Sequence, residues 1–269
     1  MKKIIVCLLA LALVAGCSAT PNKVESTPTP ETKVVTGNYT DEMKIPYAVD
    51  LEEYGADSVE RNGDHQGSPY FNQLDFYNME STDTLTILPK FKTYQQTSEW
   101  SCGVVSALMV LNFYDALGEY NESTLAEFRT NGLDYAATSL ESMIDIFEGV
   151  GGFEISSTYD YTEENFEDIS LEFIQENIKN NIPMMVAWND WGGHWQVIIG
   201  YDTMGTETTQ DDVIIVADSY DTTDHNQDGY GVYPAERFFY NWTMYDFFTE
   251  NYGINERDRL FITVKPVQK

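Results

Sequence analysis

A thiol, an imidazole, a carboxylate and an amide stand along this 269-residue chain in an order that suits acyl transfer. There are three cysteines. Cys7 lies inside an apolar N-terminal run and Cys17 closes it, which leaves Cys102, in the string Gln96-Thr97-Ser98-Glu99-Trp100-Ser101-Cys102-Gly103. An apolar helical run opens at Cys102, and the exposed N–H groups and dipole of a helix N-terminus stabilise a thiolate. There are also three histidines. His65 sits in a hydrophilic loop and His225 among acidic residues, whereas His194 follows Trp191-Gly192-Gly193 and opens a β-branched run. That places an imidazole at a strand mouth with room for substrate, so His194 is the candidate base. The next β-branched run ends at Asp218. If the two runs form a hairpin, Asp218 returns beside His194 and can accept its ring N–H, fixing the tautomer. Gln96 and the backbone N–H of Cys102 are the candidate oxyanion donors, six residues apart on one short loop.

These side chains need a helix and a sheet to hold them. Residues 102–116 are apolar on most of the helical circumference, as a buried central helix requires. Further helices are expected over 123–130, from the Thr138-Ser139-Leu140-Glu141 start signal to Gly149 or Gly151-Gly152, and over 170–179. The second half changes period. Residues 184–188, 195–201, 213–217 and 260–264 are short, β-branched and bounded by turn residues, so they predict four strands of one antiparallel sheet. An aromatic helix over 235–248 interrupts them, and residues 85–88, stopped by Pro89, predict a short edge strand. Helices first and sheet second is an α+β arrangement, with N-terminal helices packed on an antiparallel sheet.

The order Gln96, Cys102-Gly103, Gly193-His194-Trp195-Gln196-Val197-Ile198 and a strand ending in Asp218 resembles the bacteriocin-processing (double-glycine leader) peptidase family and its stand-alone relatives in the papain-like superfamily. The resemblance runs over roughly residues 91–264. It implies a papain-like fold and thiol-dependent cleavage of a peptide bond with no required cofactor. It gives Cys102 the role of nucleophile, His194 base, Asp218 orienter and Gln96 oxyanion donor. Val104 and Ser219 stand where that family usually has proline, and the family's exporters add a membrane pore and an ATPase that these 269 residues lack. Cleavage of an extracellular peptide or protein is what carries over. The same four residues would also serve a thiol acyltransferase or a cell-wall amidase. A non-catalytic surface binding lipoprotein could instead use Trp188, Trp191 and Trp195 as a ligand platform.

The N-terminal residues predict a location. Lys2-Lys3, an apolar run over 4–15 and Gly16-Cys17 read as a secretory signal (1–16) with a bacterial lipobox, making Cys17 the lipidated residue. The run is too short to span a bilayer. Residues 17–44 are rich in Thr, Ser, Pro and Glu and read as a flexible linker tethering a body to the outer face of the membrane. Residues 45–90 read as an N-terminal extension or pro-segment, and 91–269 as the catalytic domain. A formal charge of −29 excludes nucleic acid as a partner and argues against direct adhesion to anionic lipid. Finally, Asp224-His225-Asn226-Gln227-Asp228-Gly229 matches the start of a calcium loop, with Asp224, Asn226 and Asp228 as ligands of a structural Ca²⁺. The acid expected at the twelfth position falls on Ala235, with Glu236 one residue late.

Overall fold

The computed structural model describes residues 42–59, 69–70, 74–224, 226–242 and 258–267. The signal, the lipidation position Cys17, most of the linker, His65 and His225 lie outside the described residues. Those described fall in one compact unit, Val34–Lys269.

The sheet is antiparallel throughout, with strand order β2-β7-β3-β4-β5-β6. The strands are β2 (Phe153–Ser157), β7 (Leu260–Pro266), β3 (Met184–Trp188), β4 (His194–Asp202), β5 (Val213–Ala217) and β6 (Tyr230–Pro234). The four β-branched runs supply its centre, and all five residues of β3 are buried, as continuous apolar strands require when both faces are covered. A short strand β1 (Leu85–Ile87) pairs with the far end of β4, Leu85 opposite Asp202. The sequence pattern missed β2 and β6. Both are edge strands with partly exposed, polar-bearing faces, and neither makes the apolar run that signals a strand.

Helix α1 (Cys102–Phe113) is buried on nearly all sides and packs on β4, as its uniform apolarity requires. It stops at Phe113 rather than 116, because Asp115 takes a left-handed φ of 55°. Two further helices touch it. Helix α2 (Glu122–Ala126) is capped reciprocally by Asn121 and Thr124 and is shorter than the predicted 123–130. Helix α3 (Leu140–Val150) starts at the N-cap Ser139, whose hydroxyl accepts from Ser142 N, and ends at Gly151. Helix α4 (Leu171–Lys179), capped by Ser170, packs on β4, β1 and β3 and touches α5 (Ala235–Tyr240). Helix α5 ends early: Asn241 leaves helical geometry and its side chain bonds back to Arg237 O. The predicted remainder, residues 243–248, lies outside the described residues.

Candidate active site

On the sheet side of the site, backbone pairing sets the geometry. Val197 stands opposite Ala217 in the β4–β5 ladder. The next pair along therefore brings Asp218 level with Gln196, and His194 lies two residues further on the same face of β4. His194 Nε2 is 2.7 Å from Asp218 Oδ1. Gln196 Nε2 donates to Asp218 Oδ2 at 2.7 Å, and Tyr220 N donates to Oδ1 at 2.7 Å. The Gln196 amide is itself oriented, because Trp188 Nε1 donates to its Oε1 at 2.7 Å. Both carboxylate oxygens are thus occupied by donors, as a buried charge requires.

The loop side carries the thiol. Cys102 is the first residue of α1, behind the N-cap Ser101, and is 8% exposed. Its neighbour Gly103 permits close packing: a Cβ there would stand 2.7 Å from Thr138 Cβ. Thr138 in turn fixes the strand of His194, since its carbonyl accepts from Trp195 Nε1 at 2.7 Å. The amide of Gln96 has a defined orientation. Ser219 Oγ donates to its Oε1 at 2.8 Å, its Nε2 donates to Ser98 O at 2.7 Å, and its backbone N donates to Ser219 O at 3.0 Å. Beneath the loop lies Glu122, wholly buried at the start of α2. Its carboxylate accepts from Ser101 Oγ at 2.5 Å, Thr97 Oγ1 at 2.7 Å, Thr97 N at 3.1 Å and Tyr94 OH at 3.3 Å. Burial raises the Glu122 carboxyl above its ordinary value, and these donors only partly reverse it.

Cys102 and His194 each favour the charged form of the other. With Nε2 committed to Asp218, Nδ1 is the ring nitrogen left for the thiol. Burial by itself pushes the Cys102 thiol up. The influence of His194, with the backbone N–H groups of Trp195 and Gly103, outweighs it and leaves the thiol below its ordinary value. Burial likewise opposes a charged His194, yet Asp218 and Cys102 together hold it well above the usual imidazole value. Asp218 resists its own burial through His194, Tyr220 N and Gln196, and lies below the usual carboxylate value. The arrangement favours a thiolate–imidazolium pair backed by a carboxylate, the form that nucleophilic acyl chemistry needs.

Beside Asp218 opens a cleft of about 540 Å³, walled by Trp191, Tyr220, Tyr233 and the carboxylates of Asp190 and Asp221. The predicted calcium residues line it as well, but their groups are engaged within the turn. Asp224 Oδ1 accepts from Asn226 N at 3.1 Å, the Asn226 amide donates to Asp228 Oδ2, and Asp228 Oδ1 accepts from Tyr230 N at 2.9 Å. Among the described residues no group of three or more His, Cys, Asp or Glu side chains is arranged to hold a metal ion. The three-tryptophan platform is not formed. Trp188 and Trp195 are buried, with their indole N–H groups bonded to Gln196 and Thr138, and Trp191 alone is exposed, at 62%.

A family model described as the Peptidase_C39 like family matches residues 68–249, more than half of the sequence. The chain belongs to the Peptidase_C39 like family. It is accordingly a cysteine peptidase. A comparison with curated proteins gives no match to this C39-like peptidase. Among solved structures, it is similar to a double glycine motif protease from an AMS/PCAT transporter in complex with the leader peptide, at 17% identity and a TM-score of 0.38, over 69% of this chain and 96% of that one.

Three residues of this C39-like peptidase's site went unread in the sequence: Gln196, Ser219 and Glu122. Gln196 had a signal, since it shares the face of β4 with His194 at spacing two. Ser219 stood out only as a departure from the family pattern. Glu122 had none, because nothing in a single sequence marks an acidic helix start as buried beneath loop residues 21 and 25 positions earlier.

Proposed function

We propose that Cys102, His194, Asp218 and Gln96 carry out hydrolysis of a peptide bond in an extracellular peptide or protein. The observation that carries this reading is His194 Nε2 standing 2.7 Å from Asp218 Oδ1, with His194 the group that draws the Cys102 thiol down against its own burial. The Cys102 thiolate attacks the carbonyl carbon, and the carbonyl π electrons move onto oxygen. The Cys102 backbone N–H, at a helix N-terminus where no intrahelical acceptor exists, and the Gln96 amide donate to that oxyanion. Protonated His194 gives its proton to the leaving nitrogen as the C–N bond breaks, leaving a thioester on Cys102. Neutral His194 then takes a proton from water, whose oxygen attacks the thioester. The acid product leaves and the thiolate–imidazolium pair is restored. Asp218 stays ionised throughout and holds the ring in place.

The test is alkylation of Cys102 by a small thiol reagent across pH, in the wild type and in His194→Ala. Rapid reaction is expected below the ordinary thiol range, slowing markedly in the variant. An ordinary thiol profile shared by both proteins would remove the activated nucleophile.

The same proposal places the enzyme on the outer face of a bacterial membrane through lipid on Cys17, supported by the apolar run and lipobox of residues 1–17. Cys17→Ser should then release the protein from the membrane fraction; retention there would refute the anchor. A structural calcium ion at Asp224, Asn226 and Asp228 rests on sequence spacing alone. It is discarded if the melting temperature is the same in chelator and in millimolar calcium.

A further inference from the structure

The Gln96–Cys102 loop is gripped by a second glutamate, which lies before the start of the family match at residue 68. Glu52 Oε1 accepts from Trp100 Nε1 at 3.0 Å and Oε2 accepts from Glu99 N at 3.1 Å. Its backbone N donates to Thr97 O at 3.0 Å, and Leu51 N donates to Thr97 Oγ1 at 3.0 Å. Asp57 N donates to the carbonyl of Gln96 itself at 3.3 Å. Gly55 lies against the same backbone so tightly that a Cβ would stand 2.3 Å from Thr97 C and 2.7 Å from Ser98 N. Trp100, held by Glu52 at its indole N–H, has the buried Arg129 guanidinium over its ring at 4.3 Å. Upstream, Ile45 N bonds Thr93 O and Thr93 N bonds Met43 O, so the segment enters alongside the extended residues around Thr93 that lead into the loop.

An inhibitory segment would act on the nucleophile or its base, and no residue of 51–57 lines the cleft beside Asp218. Residues 51–57 instead bond to Gln96, Thr97, Glu99 and Trp100, the backbone that aims the amide. We infer that residues 51–57 are an activating part of the enzyme, with Glu52 a positioning residue that holds the Gln96–Cys102 loop in its oxyanion-binding shape. This rests on the roles proposed above for Gln96 and Cys102.

The consequence is a specific kinetic pattern. His194 and Asp218 are placed by the sheet, so loosening the loop should spare the thiolate and impair oxyanion stabilisation. Removing one oxyanion donor costs about 10²–10³ in kcat, and misplacing one by about 1 Å costs up to about 10². In the full chain, Glu52→Ala should lower kcat roughly 10- to 100-fold, with KM and the neutral-pH alkylation rate of Cys102 changed by less than about twofold. Glu52→Gln retains one acceptor and should fall in between. Gly55→Ala, which forces the Thr97 backbone to move, should be at least as severe as Glu52→Ala. The exposed neighbour Glu53→Ala should match wild type.

A double-mutant cycle decides between positioning and general loosening. If Glu52 acts through Gln96, Glu52→Ala should cost little once Gln96→Ala is present. Should Gly55→Ala fail to fold, the two Glu52 variants and the cycle still decide the question. Activity of Glu52→Ala equal to or above wild type would overturn the inference and favour a neutral or inhibitory segment. An undiminished loss in the Gln96→Ala background would overturn it too. Cys102→Ala, run in parallel, separates the two levels: retained hydrolysis there defeats the proposed nucleophile and the inference with it. A dead Cys102→Ala beside an unaffected Glu52→Ala defeats the inference alone.

Discussion

His194 and Asp218 stand on neighbouring strands whose register is fixed by backbone pairing, whereas Gln96 and Cys102 sit around a loop shaped by side chains from remote parts of the chain. On the sheet side, five consecutive residue pairs join β3 to β4, and five more join β4 to β5 across one bulge. A slip of one residue would send every side chain of these doubly covered strands to the opposite face, where it does not fit, so packing on both faces enforces the pairing of His194 with Asp218. On the loop side no ladder exists. Glu122 from α2, Ser219 from beyond β5 and Glu52 from the N-terminal segment hold the 96–101 backbone by hydrogen bonds. Each such bond contributes only about 1 kcal/mol net, yet leaving a buried donor unmatched costs about 1–3 kcal/mol. The sheet side should therefore tolerate isosteric change in shape but not in charge, and the loop side should be sensitive to any lost acceptor.

Asp218→Asn is the sharpest way to break the first half of that contrast. The amide can keep the shape of the contact to His194 but removes the charge that holds the imidazolium. A fall in kcat of about 10³–10⁴ is expected, because the ring loses its correct tautomer and counter-charge. Cys102 alkylation at neutral pH should slow in parallel, since its thiolate depends on charged His194. The loss of stability should stay within about 1–3 kcal/mol, as one of the donors to Asp218 loses its acceptor while the β4 and β5 ladders remain. A large loss of stability with ordinary thiol reactivity would reverse the assignment of roles to the two sides.

Glu122→Ala tests the loop side, and the balance should invert. Three strong donors, Thr97 N, Thr97 Oγ1 and Ser101 Oγ, would lose their buried acceptor. Denaturant unfolding should report a loss of roughly 2–4 kcal/mol. Activity of the folded fraction should fall through kcat, while the pH profile of Cys102 alkylation keeps its shape, because His194 and Asp218 are untouched. An unchanged stability would show that the loop is held mainly by Glu52 and Ser219.

The same division explains what could be read from the sequence. Strands β3, β4, β5 and β7 carry β-branched runs bounded by turn residues, and a period of two then places His194, Gln196 and the end of β5 without further information. Helix α1 was visible because nearly every one of its positions is apolar. The edge strands β2 and β6 were not, since an edge needs only one covered face and Phe153-Glu154-Ile155-Ser156-Ser157 carries too few apolar residues to stand out. The expected helix over 235–248 is broken at Asn241, where the side-chain bond to Arg237 O closes α5 although apolar periodicity continues. The supports of the loop were illegible for a different reason. Glu122 and Glu52 are ordinary acidic residues in a chain that has 44, and only their contacts across 25 and 47 positions distinguish them.

Two aspartates three residues apart carry the contrast to its smallest expected effect. Asp218 is held below the usual carboxylate value by His194, so its contribution to stability is present above pH 3.8 and is lost as the pH falls through its lower native value. Asp221 is pushed up to about 8 by burial first and then by Asp224, Asp218 and Asp228, although Gly229 N donates to it at 2.9 Å. Its sign is opposite: the folded state holds the proton more tightly, so its contribution is complete in acid and is lost as the pH rises from about 4 to about 8. Asp228, raised to about 6, adds to the same trend, whereas Lys44, lowered to about 8 chiefly by burial, is charged in both states below that pH and recovers stability only as the pH rises from about 8 toward 10.5. Asp221→Asn keeps an acceptor for Gly229 N and removes the titration. It should raise the melting temperature by a few degrees at pH 8 and leave it nearly unchanged at pH 4. A difference that is the same at both pH values would mean that the charge of Asp221 is compensated by Lys44 in the folded protein. In that case the acidic turn would be held by a charge pair from the N-terminal segment, much as the Gln96–Cys102 loop is bonded by Glu52.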